Sequence, residues 1–263
     1  MRILTWNLWW RCGPWRERHA AILETLRDLR PDIIGLQEVW GGNGENLAGR
    51  LAGELGMDWT WAPFDRPGEA EYAEGVAVLS RWPIADRDVL PLPSPGSPDT
   101  GRVALYALVD ADPQPVPFFT AHLNYLPAES AVRCAQVRAL SEFVAAHQGE
   151  AAFPAVVTGD LNAPPDSAEI RLLRGPSPAG QRLVDAWDAA EPDAPWATWN
   201  PANPYLGPEQ PAMRIDYVHV GEPGPDGLGR VRSARRVGDG PVQGVWPSDH
   251  AAVLAELDGR PTA

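Results

Sequence analysis

Strand-like apolar runs that end in polar side chains recur along this chain, and they constrain its fold more than any other feature. One run begins at Ala155 and passes through a glycine to Asp160 and Asn162. Side chains at i and i+2 of an extended backbone share a face, so we expect this carboxylate and carboxamide side by side. An Asp that orients or deprotonates water, beside an amide that binds a phosphoryl oxygen, would suit such a pair. Ordinary turns after strands also use Asp and Asn.

Five other strand-like runs end in, contain or follow polar groups of the same kinds. These groups are Asn7, Glu38, His122 with Asn124, Asp216, and Asp249 with His250. The pair at 122 and 124 has the same spacing as the pair at 160 and 162, and we expect it to share a face. Groups of these types suit hard cations and phosphate chemistry. Their recurrence at strand ends predicts one shared site.

Seven short motifs contain these groups and run in a fixed order from residue 5 to residue 250. They are Thr5-Trp6-Asn7, Leu36-Gln37-Glu38, Gly75-Val76-Ala77-Val78-Leu79-Ser80-Arg81, Thr120-Ala121-His122-Leu123-Asn124, Gly159-Asp160-Leu161-Asn162, Arg214-Ile215-Asp216-Tyr217 and Ser248-Asp249-His250. The set resembles the endonuclease/exonuclease/phosphatase superfamily. The resemblance implies one catalytic domain over residues 1–263 with an α/β fold. That fold is a four-layered α/β sandwich, in which two mixed β-sheets pack face to face with helices outside and the site at one edge.

The resemblance also implies a divalent cation site. Glu38 and Asn7 are the expected ligands, and Asp249 completes or backs the site. Oxygen ligands of this kind suit Mg²⁺ or Mn²⁺, and the sequence has no Cys/His cluster with zinc spacing. We therefore expect Mg²⁺ or Mn²⁺ as the cofactor.

Catalytic roles follow from the same resemblance. His250 would pair with Asp216 and stabilise charge at the phosphate, while Asp160 orients or deprotonates the attacking water. The opposite assignment, with His250 as the base through Asp216, stays open at this point.

Phosphate contacts are expected from four further positions. Asn162 would bind a non-bridging oxygen, and His122 and Asn124 would contact the phosphate from the other side. Arg102 opens a strand-like run near the point where family members bring an Arg or Tyr to the phosphate. The remaining histidines at 19, 147 and 219 are expected to be structural or exposed.

The charge balance limits the substrates. The net charge is −13, and all 22 basic residues are arginine. Such a chain lacks the broad positive surface on which non-specific duplex binding depends. A general DNA-binding nuclease is therefore disfavoured, although a local basic groove remains compatible with the composition.

Periodicity predicts alternating helices and strands. We expect helices at 15–29, 44–56 and 129–147 and a short one from Ser167 to Leu173, with strands at 73–80, 83–90, 102–110 and 115–121. Pro- and Gly-rich stretches at 91–101, 174–181, 191–211 and 221–228 are expected to be loops. No apolar run is long enough for a membrane span. Because the first strand begins at Arg2, we expect no signal peptide, a cytoplasmic location, free thiols at Cys12 and Cys134, and a monomer.

Aromatic residues lie directly before or after several of the polar strand ends. Trp9, Trp10, Trp40, Trp246 and Tyr125 are candidates for a rim that stacks on a base or an apolar leaving group. Covering loop-packed surface is the other interpretation for each of them. Trp9 also stands where the DNA-repair members of the superfamily have an acidic metal ligand, which puts abasic-site repair in doubt.

Together these observations predict a Mg²⁺- or Mn²⁺-dependent phosphoester hydrolase in which water attacks phosphorus in line. A phosphodiester is favoured, and the substrate is a small molecule, a lipid headgroup or a nucleic acid. An endo- or exonuclease on single-stranded or structured nucleic acid is the alternative. A catalytically silent binding module is disfavoured because Asp160, Asp216 and His250 are all present.

Overall fold

The computed structural model of the protein describes residues 1–64, 71–149, 151–176, 180, 182–224 and 227–259. The strands of this part of the chain are β1 Arg2–Asn7, β2 Ile33–Gly42, β3 Glu45–Asn46, β4 Asp58–Pro63, β5 Ala73–Ser80, β6 Ile84–Pro91, β7 Val103–Val109, β8 Val116–His122, β9 Val156–Asp160, β10 Leu183–Asp185, β11 Asp216–Gly221, β12 Val231–Val237 and β13 Ala252–Leu257. The helices are α1 Trp15–Leu29, α2 Leu47–Leu55, α3 Ser130–Gln148, α4 Ala168–Arg174 and α5 Ala186–Ala190.

Two mixed sheets form the centre of the molecule. Sheet A has the strand order β12-β13-β1-β2-β5-β4, with β3 beside β2, and sheet B has the order β10-β11-β9-β8-β7-β6. The β1–β2 and β8–β9 pairs are parallel and the other pairs are antiparallel. Parallel pairs at the middle of each sheet place successive strand ends at one edge.

Three hydrophobic cores separate four layers. The core between the sheets includes Ile3, Ile33 and Val78 from sheet A and Phe118, Val156 and Val218 from sheet B. A second core joins sheet A to α1 and α2, and a third joins sheet B to α3 and α4. The predicted four-layered α/β sandwich is therefore confirmed.

The facing surfaces of the two sheets change in polarity along the strands. Apolar side chains fill one end of the space between the sheets. In the middle the two sheets lie close together at Gly35 of sheet A, where an added Cβ would lie 2.1 Å from Thr158 Oγ1 of sheet B. Gln37 bridges the sheets there by donating to Thr120 Oγ1 at 2.9 Å. Beyond this point the facing positions are polar and line the candidate site. In sheet B, the alternation of β8 and β9 thus continues from the core into the site.

The main sequence-predicted elements are present. The helix predicted at 15–29 is α1, the one at 44–56 is α2, and Ser167 Oγ accepts from Ile170 N at the start of α4. Strand β12 lies in the Arg-rich segment, where alternation of apolar residues is weak. No helix in the described ranges is long and apolar enough to cross a membrane. Cys12 and Cys134 are free thiols, as expected.

Candidate active site

Three adjacent strands of sheet B bring three predicted residues to one level. His122 of β8 is in register with Asp160 of β9, and Asp160 is in register with Asp216 of β11. All three are buried and face sheet A. Gly159 makes this possible, since a Cβ there would lie 2.2 Å from the backbone oxygen of Ala121 on β8. The row is therefore a consequence of strand register and one close backbone contact.

Asp160 lies at the centre of the site. Its Oδ2 accepts a hydrogen bond from Asn7 Nδ2 at 3.0 Å and lies 3.5 Å from His122 Nε2 and 3.8 Å from His250 Nε2. Burial raises the pKa of Asp160 to about 7, the charge of Asp216 adds to this, and His250 opposes it. A carboxylate with this environment can both orient water and accept a proton.

His250 is held by Asp216. Its Nδ1 lies 3.0 Å from Asp216 Oδ2, and the indole of Trp199 packs edge-on against the ring at a centroid distance of 4.9 Å. Burial alone would lower the pKa of His250, but the charge and hydrogen bond of Asp216 raise it well above the usual histidine value. The expected His250–Asp216 pair is present, and Nε2 is left facing Asp160.

A β-bulge turns Glu38 toward the site. The pairing of β2 with β5 shifts register between Leu36 and Val39, and Glu38 has a φ of 52°. Strict alternation would send this side chain toward the helices, since Gln37 already faces sheet B. In the left-handed conformation, Glu38 Oε1 instead accepts from Asn7 Nδ2 at 3.0 Å. Backbone strain of this kind is often found at functional sites.

Asp249 is buried and close enough to the partly exposed Glu38 for their charges to interact. Burial raises the pKa of Asp249 to about 7, with His250 opposing the shift and Glu38 adding to it. Ser248 Oγ donates to the backbone oxygen of Asn7 at 2.6 Å, which ties this segment to the end of β1. Carboxylate oxygens that repel one another away from solvent are suited to bind a hard divalent cation, because the cation neutralises their charge.

Ligand atoms group in two sets of three within the described residues. Glu38, Glu74 and His122 form one set, and Asp160, Asp216 and His250 form the other, with the atoms of each set within 4.8 Å of one another. Of the two predicted carboxylate ligands, Glu38 belongs to the first set and Asp249 to neither. Asn7 Oδ1 accepts from Trp9 N at 2.9 Å, so its amide is partly engaged by the turn that follows.

Arg18 of α1 organises the loops on either side of this site. Its Nη1 donates to the backbone oxygens of Leu8 and Pro247 at 2.7 and 2.9 Å. Its Nη2 donates to the backbone oxygens of Trp9, Trp10 and Cys12 at 2.9 to 3.0 Å. The guanidinium is buried. One side chain therefore connects the turn after Asn7 to the segment before Asp249.

Asn162 and Asn124 were expected on the faces of β9 and β8, but both lie beyond the ends of these strands. Strand β9 ends at Asp160, and Asn162 adopts a φ of 49°; its Nδ2 donates to the backbone oxygen of Leu123 at 3.0 Å. It still lines the cavity. The expectation that Asp160 and Asn162 share an extended face is wrong because a turn, closed by Asn162 N on Asp160 Oδ1 at 3.0 Å, brings them together.

Asn124 is fully buried and points away from the row. Because β8 ends at His122, the i+2 rule no longer applies there either. Its amide donates to Ser97 Oγ and Glu129 Oε2 and accepts from Gln136 Nε2 at 2.6 Å. Asn124 is not among the described residues that line the cavity. Its contacts hold the segment around Ser97 against α3.

A cavity of about 920 Å³ opens over the site, and the described residues that line it include Glu38, Glu74, His122, Asp160, Asp249 and His250. Arg102 lines it, and Asp99 pairs with the Nε and Nη2 of this arginine at 3.0 and 2.9 Å. The guanidinium lies 5.8 Å from the exposed ring of Tyr125. Arg102 therefore reaches the cavity wall, as expected, with two of its nitrogens already engaged.

The aromatic residues divide between two surfaces. Trp9 and Tyr125 line the cavity, and the ring of Trp9 packs against that of Tyr205 in a tilted arrangement with centroids 4.6 Å apart. Trp10 and Trp40 line a different cleft on the helix side of sheet A. Trp246 is not among the described residues that line either space. The predicted aromatic rim is thus smaller than the sequence alone indicates.

Several site residues were not predicted. Glu74 lies 3.9 Å from His122 Nδ1, and its position directly before the motif at Gly75 was an available signal. Trp199 lines the cavity from the segment 191–211, which was expected to be a plain loop, and Met213 lines it from just beyond that segment. Arg18 has no local signal, since a single arginine in an amphipathic helix is normally solvated.

Comparisons with known proteins identify the family. A family model described as the endonuclease/exonuclease/phosphatase family matches residues 4–250. The chain belongs to this family. Members of the endonuclease/exonuclease/phosphatase family hydrolyse phosphoester bonds.

The individual relatives carry different names and do not point to one substrate. The Drosophila melanogaster protein angel is 30% identical over 171 residues, which are 61% of this chain and 47% of that protein. A putative neutral sphingomyelinase of Caenorhabditis elegans is 28% identical over 212 residues, 71% of this chain and 46% of that protein. The chain thus spans about half the length of these curated relatives. The human Nocturnin catalytic domain, solved with a bound sulfate anion, has a TM-score of 0.74 at 22% identity, covering 97% of this chain and 93% of that chain, which shows a shared fold.

Proposed function

We propose that the protein is a divalent-metal-dependent phosphodiesterase that cleaves its substrate by in-line attack of water on phosphorus. The observation that carries the proposal is the environment of Asp160. This buried carboxylate lies between two imidazoles, with His122 Nε2 at 3.5 Å and His250 Nε2 at 3.8 Å, at the floor of the large cavity. A base beside two imidazoles, one of which Asp216 favours as the cation, suits water attack on a phosphoryl group.

Each residue has a distinct task in this proposal. Asp160 orients the water and accepts its proton. His250, held through Nδ1 by Asp216, presents Nε2 to the phosphoryl oxygens and stabilises the charge that develops on them. Since both ring nitrogens of His250 face carboxylates, it is better placed as a cation than as the base. His122 faces the same oxygens from the neighbouring strand.

Glu38, Asn7 and Asp249 would hold the cation, with Glu74 close to the first of them. A bound Mg²⁺ or Mn²⁺ would neutralise charge on the phosphoryl and leaving oxygens. The protein residues meanwhile keep the attacking water on Asp160 and exclude bulk solvent from the buried row.

The cavity walls favour a diester with an apolar or aromatic substituent. Trp9, Tyr125, Leu126, Trp199 and Met213 supply the apolar surface. Arg102 is the one arginine among the described residues that line this cavity, and Asp99 already pairs with it. A groove for a long polyanion at this position would present more cationic side chains. A nuclease therefore stays the second candidate.

A substrate panel tests this proposal. Purified protein is treated with EDTA, resupplied with Mg²⁺, Mn²⁺ or Zn²⁺, and assayed on bis-p-nitrophenyl phosphate, p-nitrophenyl phosphate, sphingomyelin, an inositol phosphate and oligonucleotides. We expect diester hydrolysis with Mg²⁺ or Mn²⁺ and a loss of about 10²- to 10⁴-fold in Asp160→Asn. The exposed Asp110→Asn is the matched control and should retain full activity. Activity that survives in Asp160→Asn, or that only Zn²⁺ restores, would contradict the mechanism.

A further inference from the structure

A second cleft, of about 330 Å³, lies on the helix side of sheet A. Four aromatic residues and five basic residues line it: Trp10, Trp15, Trp40 and Tyr72, with Arg11, Arg16, Arg18, His19 and Arg50. The turn after β1 separates it from the catalytic cavity. Trp9 and Cys12 line the catalytic cavity, whereas Trp10 and Arg11 line this cleft. We call it the arginine cleft.

Arg11 is the central group of the arginine cleft. Its guanidinium carbon lies 3.7 Å from the ring centroid of Tyr72, 4.5 Å from that of Trp15 and 5.9 Å from that of Trp40. Its Nε is buried without an acceptor, and it forms no ion pair with any residue that the structure describes. Packing against ring faces fixes the plane of a guanidinium while leaving its N–H edge available to an anion.

The charges around Arg11 are unbalanced. Arg16 lies over the same Trp15 ring, at 4.3 Å, and it too has no ion pair among the described residues. Glu45 is the one carboxylate among the described lining residues, and it reaches only Arg50, at 4.0 Å. His19 pairs with Glu54 at 2.9 Å. A local excess of cations in a chain of net charge −13 indicates that an anion belongs in the cleft.

Buried donors point to the same conclusion. Trp10 Nε1 and Arg18 Nε, like Arg11 Nε, are buried and lack acceptors in the described structure. Arg18 is itself 1% exposed. Buried N–H groups are nearly always satisfied by a protein group, water or a ligand. An oxyanion bound in the cleft has several acceptor atoms and could satisfy such donors.

We propose that the arginine cleft binds a phosphate group. The planar fork of Arg11 can donate two parallel hydrogen bonds to phosphate oxygens, and Arg16 supplies a second positive charge. The phosphate could belong to a small phosphate compound or to a nucleic-acid strand that crosses the turn at residues 9–12 from the catalytic cavity. The shared chemistry is the phosphate oxyanion, and binding there does not depend on the proposed hydrolysis.

Binding measurements in EDTA test the site without turnover. The probes are inorganic phosphate, thymidine 5′-monophosphate and a fluorescein-labelled thymidine hexanucleotide with phosphorothioate linkages, measured by calorimetry and fluorescence anisotropy. The variants are Arg11→Met and Arg16→Met, which retain an unbranched apolar side chain. Arg138→Met is the control, because Arg138 is exposed on α3 and forms no described ion pair. Circular dichroism shows whether each variant is folded.

We expect Arg11→Met to raise the Kd roughly tenfold or more and Arg16→Met to raise it less, with Arg138→Met equal to the unaltered protein. If Arg11→Met does not fold, the exposed Arg16→Met decides the matter. A hexanucleotide that binds much more tightly than the monophosphate, and loses that advantage in the variants, identifies a strand as the source. Equal affinities identify a small phosphate. Equal Kd values in the cleft variants and the control, or no saturable binding of any probe at millimolar concentration, would overturn the site.

Discussion

Replacing Arg18 by methionine tests how the site is held together. The side chain donates to five backbone oxygens, two through Nη1 and three through Nη2. Each nitrogen of a guanidinium fork carries two hydrogens, so the three bonds of Nη2 share two donors. Four full hydrogen bonds are therefore the upper limit for the calculation.

The expected loss of stability follows from these hydrogen bonds and from the turn at residues 8–12 that they hold. A hydrogen bond to a charged group contributes about 1.5–3 kcal/mol to stability. Methionine carries no charge, so the variant no longer incurs the cost of burying a guanidinium, and this offsets part of the loss. Trp9 and Trp10 have φ values of 55° and 36°, and left-handed conformations of this kind cost about 1–3 kcal/mol each. Without Arg18 the turn can relax locally and escape that strain. We expect Arg18→Met to lower the free energy of unfolding by about 3–5 kcal/mol.

Activity should fall by more than the unfolded fraction explains. Relaxation of the turn breaks the bond from Trp9 N to Asn7 Oδ1 and frees the amide that contacts both Glu38 and Asp160. At low temperature, where the variant is folded, we expect kcat to drop roughly tenfold or more. Arg18→Lys should recover part of the stability, since an ammonium has three donors but no planar fork.

Urea denaturation gives the stability, and steady-state assays on bis-p-nitrophenyl phosphate give kcat. Arg27→Met is the matched control, because Arg27 lies on the same helix but is exposed. If Arg18→Met changes stability by less than about 1 kcal/mol, the hydrogen-bond reasoning fails. Reduced stability with an unchanged kcat would refute the link between the turn and the site.

Three further changes have distinct expected results. His219 is buried without a described partner on either ring nitrogen, and burial lowers its pKa to about 4. Between pH 6.5 and 4 the unfolded chain therefore takes up a proton that the folded chain does not, and the free energy of unfolding should fall by about 3 kcal/mol toward pH 4. Urea denaturation across this range should show a smaller fall in His219→Phe. Gly35→Ala places a Cβ 2.1 Å from Thr158 Oγ1 and should cost about 1–3 kcal/mol by urea denaturation; a second change, Thr158→Ala, should recover part of this, and no recovery would argue against a steric cause. Glu38→Gln should weaken Mn²⁺ binding in calorimetry roughly tenfold or more, because cation affinity depends on the number of charged ligands; an unchanged affinity would remove Glu38 from the cation site.

Much of the site follows from local rules applied to the sequence. Alternation along β8, β9 and β11 sends His122, Asp160 and Asp216 to one side of sheet B, and each follows directly from its own strand pattern. Periodicity also predicts α1 and α3 closely. These elements are predictable because their hydrophobic patterns are long, and packing in the cores agrees with them.

Errors arise where a strand ends or a bulge occurs. The i+2 rule holds for Asn124 and Asn162 only if their strands continue. Instead, β8 stops at His122 and β9 stops at Asp160. Glu38 faces the site only because a bulge reverses the alternation of β2. Termination and bulging depend on pairing with neighbouring strands, which a local pattern does not contain.

By itself, then, the sequence determined which polar groups end the strands and which of them are chemically suited to a phosphoester site. The tertiary structure alone decided which groups meet. Arg18 reaches five carbonyl groups in two segments, and the fold brings Arg11, Arg16 and Arg50 together in a cleft that the scattered arginines of the sequence do not reveal. The physical reason is that side-chain direction is set by local backbone geometry, whereas proximity is set by sheet register and by the packing of helices against the sheets.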